Sequence, residues 1–487
     1  MRSRRLAESF PRLADHPALH GRRLKSLEDD VMRARDFSRN VIRPRALELD
    51  RRIGADTSDF AWDVARAGAR EGLFSLIVPA ASGGDANAFC LRASLVMEEL
   101  SAGCAGVATI FGAHALGASP LLLAGMQFWD TLLREIAEGD KRGEPVIMAA
   151  AITEPTAGTD VEHHELVREA RLGSRGRRVS GGYRISGTKV FISNGAVAKW
   201  IVVILPLDPQ RPYETMSAFL VDSASDGFKV AHIEHKMGQR ACTVAELQLD
   251  DVFVPDDRVV GRVGDGVMGT LGILAASRPV VGAISTGIAR GAYERLFEWL
   301  AADDQGLRLL ERQEVQIALA KMEEEIHLSR QIYFDAATEF DAVSLGSMQS
   351  SALMKMASAT PRRLRDNPIT KRRVTSDFAR EATVKAIAHS IDDDNLARSL
   401  ALSSMAKARG GDTAMQVTGT ALEIAGLGCG SLRPELEKLM RDAKLCQIYE
   451  GTNQLNRLEV FESLVMKPQV HVIKDAMTAP SLNGAVH

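Results

Sequence analysis

The order of hydrophobic periods predicts a three-part α+β chain, with a helical segment, a compact β domain and a second helical segment. Three observations carry this. Helical apolar spacing runs over residues 26–139, short β-branched and partly alternating stretches follow Pro145, and helical spacing returns after the glycine-rich stretch 261–269. A chain of 487 residues is long enough for two or three domains and a deep pocket.

The opening MRSRRLAESFPRL is rich in arginine and lacks the apolar core of a secretory signal. Residues 1–25 are therefore assigned to a basic arm, with a cytoplasmic location expected, or the mitochondrial matrix in a eukaryotic source. The helical domain is placed at 26–147. Its best examples are 27–31, 95–100 and the small-residue run SAGCAGVATIFGAHALGASP, where small side chains let helices approach closely. Strands are expected at 183–192, 200–206, 216–221, 228–233 and 244–254, within a β domain at 148–262. No helical crossover separates them, so βαβ units are excluded. The C-terminal helical domain spans 263–466. One stripe there is Ile284, Ile288, Ala292, Leu296 and Leu300, and another is Val315, Leu319 and Met322. Further helices are expected at 414–424 and between Glu435 and Leu464. The segment 344–395 contains PRRLRDNPITKRR and IDDDN and reads as a polar insertion, followed by a tail at 467–487.

Composition excludes several function classes. Sixty basic against 63 acidic side chains leave a net charge of −3, and aromatics are only 5%, so neither attraction to nucleic acid nor a base-stacking surface is expected. No uninterrupted apolar run reaches the roughly 18–20 residues of a bilayer span. Cys90, Cys104, Cys242, Cys429 and Cys446 are far apart and form no CxxC pair, which reads as reduced thiols.

Three stretches carry chemistry. In 151–160, AITEPTAGTD, Gly158 lets the backbone pass close to a ligand while Thr153 and Thr159 add hydroxyls. A simple turn has the same residues. In 189–195, KVFISNG, strand alternation puts Phe191 and Ser193 on one face, where an aromatic and a hydroxyl can meet a flat ring. An ordinary half-buried strand looks alike. In 440–457, MRDAKLCQIYEGTNQLNR, Glu450 follows apolar Ile448 and Tyr449, and Thr452 is a candidate helix N-cap. A carboxylate so placed is partly desolvated and raised in pKa, as a base acting on a weak carbon acid requires. A surface glutamate before a helix is the plainer alternative.

Together, and in this order, these stretches resemble the acyl-CoA dehydrogenase family over residues 27–464 apart from the insertion. KMGQRACTVAELQLDDVFVP adds the exit from the β domain. The resemblance implies a middle antiparallel β-barrel domain, a C-terminal four-helix bundle, FAD, and an acyl-CoA substrate dehydrogenated at its α and β carbons. Glu450 matches the base, with its backbone N–H polarising the thioester oxygen. Thr153, Gly158, Thr159, Phe191, Ser193, Thr452, Gln454, Gln313, Glu423 and Gly426 match cofactor positions. Thr159, Arg278, Tyr449, Gly451 and Leu116 match substrate positions, with Gly112 and Ala113 near the pocket floor. The alternative base position of the family, in LAASRPVVGA, is Ser277 here. A homo-oligomer, dimer or tetramer, and electron-transfer flavoprotein are the implied partners.

Two stretches depart from the pattern. The family's R-x-x-F-G is replaced by LAADDQG at 300–306, without the arginine that contacts pyrophosphate, although Arg308 and Arg312 lie nearby. Its Q-I-x-G-G-x-G becomes EIAGLGC at 423–429, without the glutamine. Both belong to the half of the flavin site that a neighbouring subunit supplies. This opens the alternatives of a hetero-oligomer with a homologous second subunit, or of a non-catalytic scaffold. His163-His164-Glu165 lacks a third ligand set, so no metal is expected.

Overall fold

The computed structural model describes residues 19, 21–79, 82–84, 89–124, 129–163, 165–342, 393–428 and 430–466. Most of the 344–395 insertion, the tail, His164 and Cys429 lie outside these residues.

The first segment holds α1 (Arg22–Phe37), α2 (Ala46–Ala55), α3 (Trp62–Arg70), α4 (Phe89–Gly103), α5 (Ala105–Leu123) and α6 (Asp130–Arg142). Helix α1 thus begins inside the segment read as the basic arm. Eight strands follow: β1 (Met148–Ala151), β2 (Arg175–Val179), β3 (Gly182–Ser193), β4 (Trp200–Pro206), β5 (Met216–Asp222), β6 (Phe228–Ile233), β7 (Val244–Pro255) and β8 (Val259–Val260). They form two four-stranded sheets, ordered β1-β4-β5-β8 and β2-β3-β7-β6. All pairs are antiparallel except β1 with β4, which run parallel with Met148 opposite Trp200. Strands β1, β2 and β8 are short or polar and carry no alternation that the sequence alone reveals.

The C-terminal segment comprises α7 (Gly266–Ala302), α8 (Asp304–Leu310), α9 (Gln313–Phe340), α10 (Asp393–Ala425), α11 (Arg433–Leu445) and α12 (Asn453–Phe461). Helices α7, α9, α10 and α11 pack as a bundle, and α4 lies against α7. The stretch 261–269, expected to be a linker, is helical from Gly266. A Cβ at Gly266 would come within 2.6 Å of the Met216 backbone, so its glycine serves close packing on β5.

Two helices, α5 and α7, are long and apolar enough to cross a bilayer by length and composition alone, although polar residues interrupt both apolar runs. Both are largely buried inside the fold. Each contains a proline, Pro120 or Pro279, which removes one N–H from the helical ladder. A serine hydroxyl meets each freed carbonyl: Ser119 Oγ donates to Leu116 O at 2.9 Å, and Ser403 Oγ of α10 donates to Ala275 O at 2.9 Å.

The N- and C-terminal helices are joined by a buried ion cluster. Arg330 donates to both oxygens of Glu98, at 3.0 and 2.5 Å, and Tyr333 adds a short hydrogen bond. Arg290 bonds Glu99 at 2.8 Å and lies 3.0 Å from Glu98, and Arg35 closes the other side of Glu99 at 2.7 Å. Burial alone would raise Glu98, but the charges of Arg330 and Arg290 overcome it and hold the carboxyl down to about 2.

Candidate active site

Glu450 sits in the turn between α11 and α12. Its φ is 58° and that of Gly451 is 79°, two successive left-handed residues. Glycine adopts this region freely and glutamate does not, so surrounding contacts must hold the turn. They come from three helices. Arg278 Nε of α7 donates to Glu450 O at 3.2 Å. Lys407 Nζ of α10 makes a short bond to Gly451 O and another to Asn453 Oδ1 at 2.9 Å. Asn456 Nδ2 of α12 donates to Gly451 O at 3.0 Å. Thr452 is the N-cap of α12, accepting from Leu455 N at 3.3 Å.

The Glu450 carboxylate accepts one hydrogen bond, from Ser277 Oγ at 2.6 Å. The residue at the alternative base position therefore serves the carboxylate rather than replacing it. Burial raises the Glu450 pKa, and Ser277, Arg278 and Lys407 only partly offset this. The Glu450 backbone N–H makes no hydrogen bond among the described residues, which leaves a donor free beside the acid.

The other two stretches are tied to each other. Glu154 of AITEPTAGTD and Lys189 of KVFISNG form a buried ion pair at 2.8 Å. Glu154 also accepts from Gly173 N and Ser174 N, and Lys189 donates to Ile152 O. Both Glu154 oxygens are thus satisfied, Lys189 makes two bonds, and the loop is fixed to the strand. The Thr153 and Thr159 hydroxyls have no partner among the described residues, and a Cβ at Gly158 would meet only Thr153 Cγ2, at 3.9 Å. These free donors and this open backbone fit a flat, polar-edged ring.

Register shifts between Lys189 and Ile192, and Phe191 has φ 60°, so a β-bulge interrupts the period of two just where Phe191 sits, while Phe191 and Ser193 both stay more exposed than the buried Ile192 between them. Phe191 is 64% exposed, a large apolar surface presented outward beside Thr153's loop. Asn194 turns the chain next, with φ 60°, and anchors it by donating to Ile110 O of α5 at 2.8 Å.

Arg278, matched to substrate, is 1% exposed and gives Nη1 to Glu459 by a short bond and to Ser404 at 3.0 Å, and Nε to Glu450 O, while Nη2 has no partner among the described residues. Its place is behind the Glu450 turn. Tyr449 likewise commits its hydroxyl, to Gln239 Nε2 and Cys446 Sγ at 3.3 Å each. Gly112 has room, since an added Cβ would sit 3.7 Å from Ile284 Cδ1, and Leu116 is half-buried on the same helix. Ala113 is buried. Gln454 is exposed.

The two departing stretches meet in space. Gln305 Nε2 reaches Leu427 O at 3.4 Å. Asp303 caps α8, accepting from Gln305 N at 2.9 Å and Gly306 N at 3.3 Å, so this carboxylate has a local role. Gln313, Glu423, Gly426 and Arg308 are exposed, and Arg312 pairs with Glu314. His163 pairs with Glu462 at 2.9 Å, and among the described residues no group of three ligating side chains is placed to hold a metal. Cys90, Cys104, Cys242 and Cys446 are buried, unpaired thiols.

Three family models match the chain: acyl-CoA dehydrogenase N-terminal domain at 28–140, middle domain at 149–252, and C-terminal domain at 264–366 and 362–465. The chain is 30% identical over 435 residues to cyclohex-1-ene-1-carbonyl-CoA dehydrogenase of Geobacter metallireducens, covering 88% of this chain and 96% of that protein. It is 28% identical to cyclohexane-1-carbonyl-CoA dehydrogenase of the same organism, over 88% and 95%. In fold it is similar to glutaryl-coenzyme A dehydrogenase, with a TM-score of 0.72 at 21% identity over 92% and 96% of the two chains. The chain belongs to the acyl-CoA dehydrogenase family.

Proposed function

We propose that this protein dehydrogenates an acyl-CoA thioester to the 2-enoyl-CoA with FAD, using Glu450 as base. FAD, when bound, supplies the hydride acceptor. Thr153, Thr159 and Ser193 would hold the flavin through hydroxyl groups, with Phe191 packing on it and Gly158 giving it access to the backbone. The Glu450 carboxylate takes the α-proton, the β-hydrogen leaves with its electron pair, and a carbon–carbon double bond forms between the two carbons. Charge developing on the thioester oxygen meets the unpaired Glu450 N–H.

The observation that carries this reading is a desolvated carboxylate held on a left-handed turn by three helices, with its pKa raised toward the range a general base needs. Thioesters of cyclohexane and cyclohexene carboxylic acids head the substrate panel, because the relatives at 28–30% identity act on them by name. Electron-transfer flavoprotein is the proposed final acceptor, and a homo-oligomer the proposed assembly. Anaerobic mixing of the flavin-loaded protein with the panel should bleach the flavin. Glu450→Gln should keep flavin and ligand binding and lose about 10²–10⁴-fold in bleaching rate. Near-wild-type bleaching by that variant would overturn the assignment.

A further inference from the structure

Glu162 ends the short 3₁₀ turn Thr159–Glu162, which continues directly from AITEPTAGTD. Its Oε2 is sealed from solvent and makes no hydrogen bond among the described residues. A Cβ added at Gly451 would lie 3.1 Å from that oxygen, so the carboxyl rests against the residue that follows the base. The charged groups that act on it come from every side: Glu450 from the turn, Arg278 from α7, Lys407 from α10 and Glu459 from α12.

None of the cations hydrogen-bonds it among the described residues. Arg278 gives Nε to the Glu450 carbonyl and Nη1 to Glu459 and Ser404, its Nη2 has no partner among those residues, and Lys407 is bound to Gly451 O and Asn453. Glu450 has the Ser277 hydroxyl and Glu162 has nothing comparable. Two neighbouring buried carboxyls do not readily ionise together, and the one with a hydrogen-bond donor takes the charge.

We infer that Glu162 works with Glu450 as a two-carboxyl unit, in which Glu450 carries the negative charge and Glu162 keeps its proton. The inference rests on Glu450 being the base. It makes Glu162 a residue that sets the charge of the reaction centre. While Glu162 is neutral, only one negative charge faces the electron-rich thioester oxygen that forms as the α-proton leaves. Once Glu162 ionises, a second charge opposes that step. Burial and then the Glu450 charge push Glu162 up to about 8, which places this loss on the alkaline side.

The test has two arms. Infrared difference spectra of wild type against Glu162→Gln at neutral pH should contain a protonated-carboxyl stretch, with Glu162→Met as the second variant should the glutamine variant not fold. The bleaching rate of the flavin-loaded wild type should fall by about tenfold per pH unit above the Glu162 titration. In Glu162→Gln that alkaline limb should vanish while the acid limb stays in place. A missing carboxyl stretch overturns the inference, and so does an alkaline limb that survives, since Lys407 or another group is then titrating. If the stretch is absent but Glu450→Gln is inactive, Glu162 alone is misassigned. If Glu450→Gln retains turnover, the base itself is wrong whatever the spectrum contains.

Discussion

The chain buries two charge clusters, and they end in opposite electrical states. Under α4, Glu98 and Glu99 face Arg35, Arg290 and Arg330, with guanidinium nitrogens on their oxygens. Around the Glu450 turn, Glu162, Glu450 and Glu459 face Arg278 and Lys407 among the described residues, whose hydrogen bonds go mostly to backbone and to Glu459. Glu98 and Glu99 are buried, and Glu162 and Glu450 are partly buried. In the first, the charges of Arg330 and Arg290 on its oxygens hold Glu98 down to about 2. In the second, burial prevails and Glu450 and Glu162 are both raised. Burial by itself therefore does not mark a reactive carboxylate. Whether cations hydrogen-bond the carboxylate oxygens directly decides whether such an acid is held low or raised.

The contrast is most easily broken at Glu98. Glu98→Ala leaves Arg330 without its carboxylate partner, while Arg290 keeps Glu99, and should cost about 3–5 kcal/mol in denaturant unfolding. The pH dependence has a definite sign. The folded-state pKa of Glu98 lies below the usual value of 4.5, so its stabilisation is complete above that value and is lost as pH falls toward about 2. Unfolding midpoints measured down this range should drop in wild type, and the contribution of this group should be absent from the variant.

A smaller change sharpens the second cluster. Ser277→Ala removes the one hydrogen bond to the Glu450 carboxylate, a bond that opposes the upward push of burial. Hydrogen bonds to charged groups contribute about 1.5–3 kcal/mol, so the acid limb of the bleaching rate should move upward by about one pH unit. An unmoved limb would detach Ser277 from the titration of Glu450.

The smallest effect lies outside both clusters. Asp303→Asn keeps the cap on α8 and should leave stability within about 0.5 kcal/mol, whereas Asp303→Ala should lose about 1 kcal/mol. Because this side chain is committed to Gln305 and Gly306, flavin retained per chain should be the same in wild type and Asp303→Asn. A rise in flavin retention would mean that the carboxylate confronts an anionic cofactor group across a subunit boundary.

Much of this was legible in the sequence because it is local. The long central strands follow from alternation between turn residues, and the Glu450 turn follows from a motif carrying its own cap, Thr452. What stayed hidden depends on distant partners. Lys407 and Gly451 are 44 positions apart, and nothing around Lys407 distinguishes it from a helical surface lysine. Glu162 falls two residues beyond the recognisable motif, and its importance arises only when α12 and the Glu450 turn fold over it. The Glu154–Lys189 pair was in plain view in two motifs, yet only the folded sheet brings the residues together. The bulge at Phe191 was not legible in the sequence, because an extra residue in the ladder leaves no mark in the alternation of Phe191, Ile192 and Ser193.

Pro279 and Ser403 carry a last consequence. The hydroxyl that meets the Ala275 carbonyl has work only because the proline withdrew the natural donor. A chain that regained an ordinary helical residue at 279 would strand the serine, and one that lost the serine first would leave the carbonyl bare. The two positions should drift through evolution as a pair, one step removed from the chemistry yet holding still the helix on which Ser277 and Arg278 are mounted.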